Sequence, residues 1–168
     1  YDPDGDGIIS AEGPGTDINA DLTIAGGGSG TVTQYKYADW SLGGGDDILI
    51  NGGGTVQIYL TGNTAVAGGP SITIGAGTKV EFYVGGSSFD ISGATLTNTD
   101  GEAGNLTIYG LPTCTSIGIG GTSGFTGAIY APSAAVTING NVTVTGSIVS
   151  KSINSTGGIT FHYDEALA

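Results

Sequence analysis

Short runs in which apolar and polar residues alternate recur along this chain, cut each time by Gly, Asn or Ser. They include Thr55-Val-Gln-Ile-Tyr-Leu60, Ser71-Ile-Thr-Ile74, Lys79-Val-Glu-Phe-Tyr-Val84 and Asn105-Leu-Thr-Ile-Tyr109. Ala135-Val-Thr-Ile138, Asn141-Val-Thr-Val144 and Gly158-Ile-Thr-Phe161 follow. Period-two alternation over four to six residues predicts strands with one face buried. No segment carries a sustained 3.6-residue stripe. In the last third the apolar anchors fall at Val136, Val142, Ile148, Ile153 and Ile159, at steps of 6, 6, 5 and 6. Hairpins of a sandwich would need turn signals every ~8–12 residues. The shorter step predicts an all-β chain wound as a single parallel, right-handed β-helix or solenoid, each coil about three short strands joined by tight bends. The competing architecture is an antiparallel β-sandwich with Gly-rich turns. Its hairpin signals are thin, with Asn51-Gly52 and Asn139-Gly140 the nearest and Asp100-Gly101 in a longer loop.

Composition strengthens the solenoid. Of 168 residues 34 are Gly, and only 11% are charged. Gly is costly inside helices, which excludes an all-α fold. The 38% of hydrophobic residues excludes a disordered chain. Solenoid corners need residues that tolerate positive φ or close backbone approach, which Gly does at little cost. Flat faces suit Thr and Val, and stacking like charges on successive coils would be repulsive. The run from Ala103 to Ser150 carries no charge at all.

The chain divides on this reading into an extended, acidic, Gly-rich N-terminal segment, 1–30, and a solenoid domain, 31–168. The first segment ends in Gly26-Gly-Gly-Ser-Gly30, which reads as a flexible run. It could cap its own first coil or cross to a neighbouring subunit as an added strand. Formal net charge is -12, so nucleic acid and anionic membrane surfaces would be repelled. No stretch reads as a membrane span. Cys114 is the single cysteine, which leaves no intrachain disulfide and reads as a small buried hydrophobe. Starting at Tyr1 and lacking Met, the chain reads as a processed or partial product, and its composition fits an exported protein.

Four stretches carry a family likeness. Phe125-Thr-Gly-Ala-Ile-Tyr-Ala-Pro132 is followed by Val136-Thr-Ile-Asn-Gly-Asn-Val142 and Thr145-Gly-Ser-Ile-Val-Ser-Lys-Ser152. The chain then closes on His162-Tyr-Asp-Glu-Ala-Leu167. This order resembles the C-terminal β-solenoid domain of PilX-like, pilus-associated bacterial surface proteins, over most of the chain from about Thr31. The closing motif is its most specific part. The resemblance implies export and a surface or appendage role, and it implies no catalytic residues. The hydrophobic N-terminal helix expected of pilus-associated proteins is absent from this sequence.

Candidate chemistry is sparse. Asp2-Pro-Asp-Gly-Asp-Gly-Ile8 matches the first half of a calcium loop, with Asp2, Asp4 and Asp6 as carboxylate ligands and Ile8 giving its carbonyl. Glu12 falls one place before the position of the closing bidentate ligand. Calcium is the expected cofactor, and a solvated acidic terminus is the alternative. His162, Asp164 and Glu165 hint at acid–base chemistry but read better as a C-terminal cap. With no Arg and only Lys36, Lys79 and Lys151, the chain reads as a non-enzyme. Asn105, Asn141 and Asn154 head glycosylation sequons. The leading expectation is an extracellular structural protein that polymerises head to tail with itself. The alternative is an adhesin that binds surface glycans, stabilised by calcium, with Tyr35, Tyr37, Tyr59, Tyr83 and Tyr109 lining a groove.

Overall fold

Alternation in the sequence becomes alternation in burial. In the strand Gly54–Leu60, Val56, Ile58 and Leu60 are buried while Gln57 and Tyr59 face outward. The computed structural model describes residues 17–121, 124–164 and 167. Numbered in chain order, its strands wind as a parallel β-helix. The first face holds β1 (Leu22–Ala25), β4 (Asp47–Asn51), β7 (Ser71–Ile74) and β10 (Thr95–Asn98). A second holds β2 (Val32–Tyr37), β5 (Gly54–Leu60), β8 (Thr78–Val84) and β11 (Leu106–Gly110). The third holds β3 (Trp40–Leu42), β6 (Thr64–Val66), β9 (Ser88–Asp90) and β12 (Ser116–Gly120). Every ladder between neighbours on these faces is parallel, as in β1 with β4, β2 with β5 and β3 with β6. Parallel pairing is what excludes the hairpin-built sandwich.

Beyond Gly120 the coil tightens. The strand β13 (Phe125–Asn139) pairs with β11 through its first half and with β12 through its second, the register breaking between Ala131 and Ala135 where Pro132 turns the corner. One long bent strand therefore serves two faces. β14 (Val142–Ser155) lies on it, and β15 (Ile159–His162) lies on the start of β14. Hydrogen-bonded partners one coil apart trace the change: Gln34 and Gln57 are 23 residues apart, Gln57 and Glu81 are 24, and Asn141 and Gly158 only 17. The sequence anchors belong to these short coils, since Val136 sits on Ile153 and Val142 on Ile159.

The core runs up the axis as stacked columns. Ile58, Phe82, Ile108, Ile129 and Ile148 occupy one register position on successive coils. Trp40 is wholly buried and meets Phe82 edge-on at 5.5 Å, and Phe82 meets Phe89 at 5.4 Å. Such edge and tilted pairs stabilise beyond their buried area by about 0.5–1.5 kcal/mol.

The division at residue 31 needs correction. β1 is already hydrogen-bonded to β4, and Ile18 bridges Trp40, so the solenoid is under way well before Thr31. The run Gly26–Gly30 is a corner of the first coil, not a flexible joint. Gly28 and Gly30 take φ of 98° and 79°, and a Cβ on Gly26 would strike the carbonyl oxygen of Gly53. Those glycines permit a tight bend, which in sequence looks the same as a linker.

Candidate functional site

Side chains facing outward stack as strictly as those facing in. On the second face Lys36, Tyr59, Tyr83, Tyr109, Tyr130 and Val149 share one column, one residue per coil. Tyr83 and Tyr109 stack with centroids 5.0 Å apart and planes within 15°. Strand spacing of ~4.8 Å makes that stacking almost obligatory once tyrosines fall in register. Beside the column lies an open groove of about 470 Å³, lined by Tyr83, Tyr109, Tyr130, Leu111, Pro112 and Pro132 among others. Its far wall is built by the corners that follow β11 and interrupt β13.

Two positions earlier in the same strands a polar ladder runs parallel to the tyrosines. Gln34 Nε2 donates to Gln57 Oε1 at 3.0 Å, and Gln57 Nε2 donates to Glu81 Oε2 at 2.9 Å. Tyr83 donates its hydroxyl to the same Glu81 oxygen at 3.1 Å, and Lys79 Nζ lies 2.8 Å from Oε1. Burial by itself would raise the Glu81 carboxyl. Hydrogen bonds from Lys79, Gln57 and Tyr83, with the lysine charge, outweigh it and hold the group below the usual carboxylate range. One carboxylate thus anchors the ladder to the tyrosine column.

The five tyrosines expected to share a groove separate into two groups. Tyr59, Tyr83 and Tyr109 stand in the outer column, which Tyr130 extends. Tyr35 and Tyr37 point the other way, in register with core residues Ile58 and Leu60, and pack against the core of the first coil. Tyr35 donates its hydroxyl to the Ala25 carbonyl at 2.7 Å, and its ring stacks on Tyr37 at 6.2 Å. Burial, with Tyr35 beside it, pushes the Tyr37 hydroxyl up to about 12. These two pack against the core on the inner side of the first coil, away from the outer column. Strand parity decides the matter, since positions 35 and 37 sit opposite 58 and 60, not 57 and 59.

At the other end, among the described residues, no strand lies on the last coil. Ile153 continues the core column of Val136, yet is 48% exposed where Val136 is fully buried. Phe161 continues the column of Val144 and is 47% exposed. Among the described residues β15 pairs with β14 alone. Asp164, beyond β15, accepts a hydrogen bond from the Ala103 N–H at 3.3 Å. His162 is exposed at the end of β15.

The remaining sequence candidates are scattered. Asp2, Asp4, Asp6, Ile8 and Glu12 lie outside the described residues, as does Glu165. Among the described residues no group of three or more His, Cys, Asp or Glu could hold a metal ion. Asn105 donates to Asp100 Oδ2 at 3.2 Å beside a short 3-10 turn, Asn141 accepts from the Gly158 N–H at 2.8 Å, and Asn154 is exposed on β14. Cys114 is fully buried, and burial pushes its thiol up despite a contact with the Ser116 carbonyl. Among the described residues no helix is long and apolar enough to cross a membrane.

The fold and its columns define a parallel β-solenoid with a tyrosine-lined flank and, among the described residues, an uncovered last coil. Residues 52–168 match the family described as Domain of unknown function (DUF7305), and the chain belongs to that family. The matched span holds the whole tyrosine column and the open coil. No curated protein and no solved structure matches the chain.

Proposed function

We propose that this protein is an extracellular structural subunit that associates end to end, as part of a surface filament or a pilus-associated appendage. The observation that carries the reading is the terminal coil, where Ile153 and Phe161 occupy core columns with, among the described residues, no coil above them. Strand edges with unpaired backbone groups invite another chain, and monomeric proteins blunt them with charge, Pro or a covering segment. Here Lys151 is the one charged residue within β13, β14 and β15.

The occupant this surface fits is the first coil of a second copy. Asp17, Asp21, Asp39, Asp46 and Asp47 cluster on the first coil and the start of the second, whereas the run from Ala103 to Ser150 is neutral. Two first coils meeting would bring acid against acid. An acidic first coil meeting the strands β14 and β15, whose one charged side chain is Lys151, lessens that cost. The favoured contact is therefore head to tail, and a contact that does not close on itself propagates as a filament. The likeness to PilX-like surface proteins, strongest in His162-Tyr-Asp-Glu-Ala-Leu167, points to the same setting.

The test is sedimentation and negative-stain microscopy of the whole chain over a range of concentrations. Filaments or concentration-dependent oligomers are expected, and the double substitution Ile153→Lys with Phe161→Lys should abolish them while the far-UV spectrum stays unchanged. A chain that stays monomeric at high concentration overturns the reading, as does assembly indifferent to the two lysines.

A further inference from the structure

We propose that the flank formed by Tyr83, Tyr109, Tyr130, Pro112 and Pro132 is a binding site for a neutral, extended glycan chain. This goes beyond end-to-end association, because the groove lies on a side face and stays open when solenoids stack along their axis.

Three observations select the ligand. First, the groove lining carries no charged side chain: it consists of tyrosines, prolines, Gly110, Leu111 and Ser133. The Glu81 carboxylate, bonded to the Tyr83 hydroxyl, is already held by Lys79 and Gln57 as well. A charged ligand would lose its hydration and gain no ion pair, so a neutral one is favoured. Second, the lining alternates apolar carbon with hydroxyls. Sugar rings present that same pairing, with C–H faces that pack on aromatic rings and proline, and hydroxyls that need partners. Third, the site is periodic. Tyr83, Tyr109 and Tyr130 occupy one register position on three successive coils. Strands in a ladder recur every ~4.8 Å, close to the advance of one ring in an extended sugar chain, so one coil meets one ring.

The rungs have different tasks. Tyr83 and Tyr109 stack on each other, so each covers a face of the other, and ring edges and hydroxyls form the floor. Tyr130 is 53% exposed and gives the largest accessible ring surface. Pro112 and Pro132 close the opposite wall with rigid apolar carbon, so little side-chain freedom is lost on binding.

The experiment is isothermal titration of the full-length protein with neutral hexasaccharides of β-linked glucose and of β-linked N-acetylglucosamine, and with a polyproline peptide as the competing class. Binding of at least one hexasaccharide is expected, weakened about tenfold by Tyr130→Ala and largely retained by Tyr130→Phe. Tyr130 is exposed, so its truncation should leave the fold intact, which the melting temperature checks. A Tyr35→Phe variant, altered on the core side, should bind as the parent does. The proposal is overturned if neither hexasaccharide binds, if only polyproline binds, or if Tyr130→Ala leaves saccharide affinity unchanged. Because the readout is saccharide affinity and not assembly, failure here leaves the filament reading standing, and the reverse holds too.

Discussion

Glu81 shows how a single residue can be both costly and useful in a stacked fold. It sits in an outward column among neighbours one coil away, mostly buried, and it is the only acidic residue on β8. Lys79 gives the carboxylate its largest support, by hydrogen bond and by charge, but that lysine is 43% exposed, so water screens the pair. The hydrogen bonds from Gln57 and Tyr83 are more sheltered and act on the ionised form. A carboxyl held below its usual value binds its proton less readily in the folded chain than in the unfolded one. Its contribution is therefore fully present above the ordinary glutamate value near ~4.3 and is lost as pH falls through the lower folded value. Glu81→Gln should cost about 1–3 kcal/mol at neutral pH. It should also flatten the stability profile between about pH 5 and pH 3. Urea melts of both proteins across that window measure it. Parallel profiles would mean that the ladder does not hold the charge.

At the scale of the element, strands were legible and their stacking was not. Alternation in Thr55–Leu60 or Lys79–Val84 announces which residues face the core, because burial on one face imposes a period of two whatever the fold. The anchors at Val136, Val142, Ile148, Ile153 and Ile159 disclosed the short coils, because one 17-residue coil leaves three inward positions in quick succession. The tyrosine column was hidden, since coils of unequal length place its members at irregular intervals and only the ladders bring them into line. Residue type alone places Tyr35 and Tyr37 in the groove, and parity sends them to the core. The Gly26–Gly30 corner misled in the opposite direction, because positive φ at Gly28 and Gly30 leaves no mark in sequence that differs from flexibility. Column position supplies a sharp test of the coil assignment. Val136 and Ile153 are partners in register, but among the described residues only the first has a coil above it. Val136→Ala should cost about 1–3 kcal/mol, while Ile153→Ala, although it removes more carbon, should cost under about 1 kcal/mol in the monomer. Thermal or chemical melts at low concentration decide it, and an equal loss at both sites would place a covering coil over Ile153.

For the whole molecule, a solenoid is close to one-dimensional: each coil is stabilised by its own contacts and by those with the coils on either side. An interior coil has two neighbours and a terminal coil has one, so the ends open first. The two ends are not equivalent here. Tyr35 and Tyr37 pack against the core of the first coil, and Ile18 adds a bridge to Trp40, whereas β15 and the second half of β14 leave Ile153 and Phe161 against solvent. Amide hydrogen exchange of the dilute protein should therefore show protection highest in β7, β8 and β11 and lowest in β15 and in Ser152–Ser155. End-to-end association adds a further step that separates it from other kinds of self-contact. Joining a second copy gives the last coil the neighbour it lacks, so its protection should rise with protein concentration. Amides of β8 and β11 on the tyrosine flank should not change. Protection gained on the flank would indicate side-by-side packing, and protection of the last coil independent of concentration would mean that its edge is already satisfied within one chain. Either result would remove the physical basis of the proposed head-to-tail filament, because that proposal rests on the incomplete last coil.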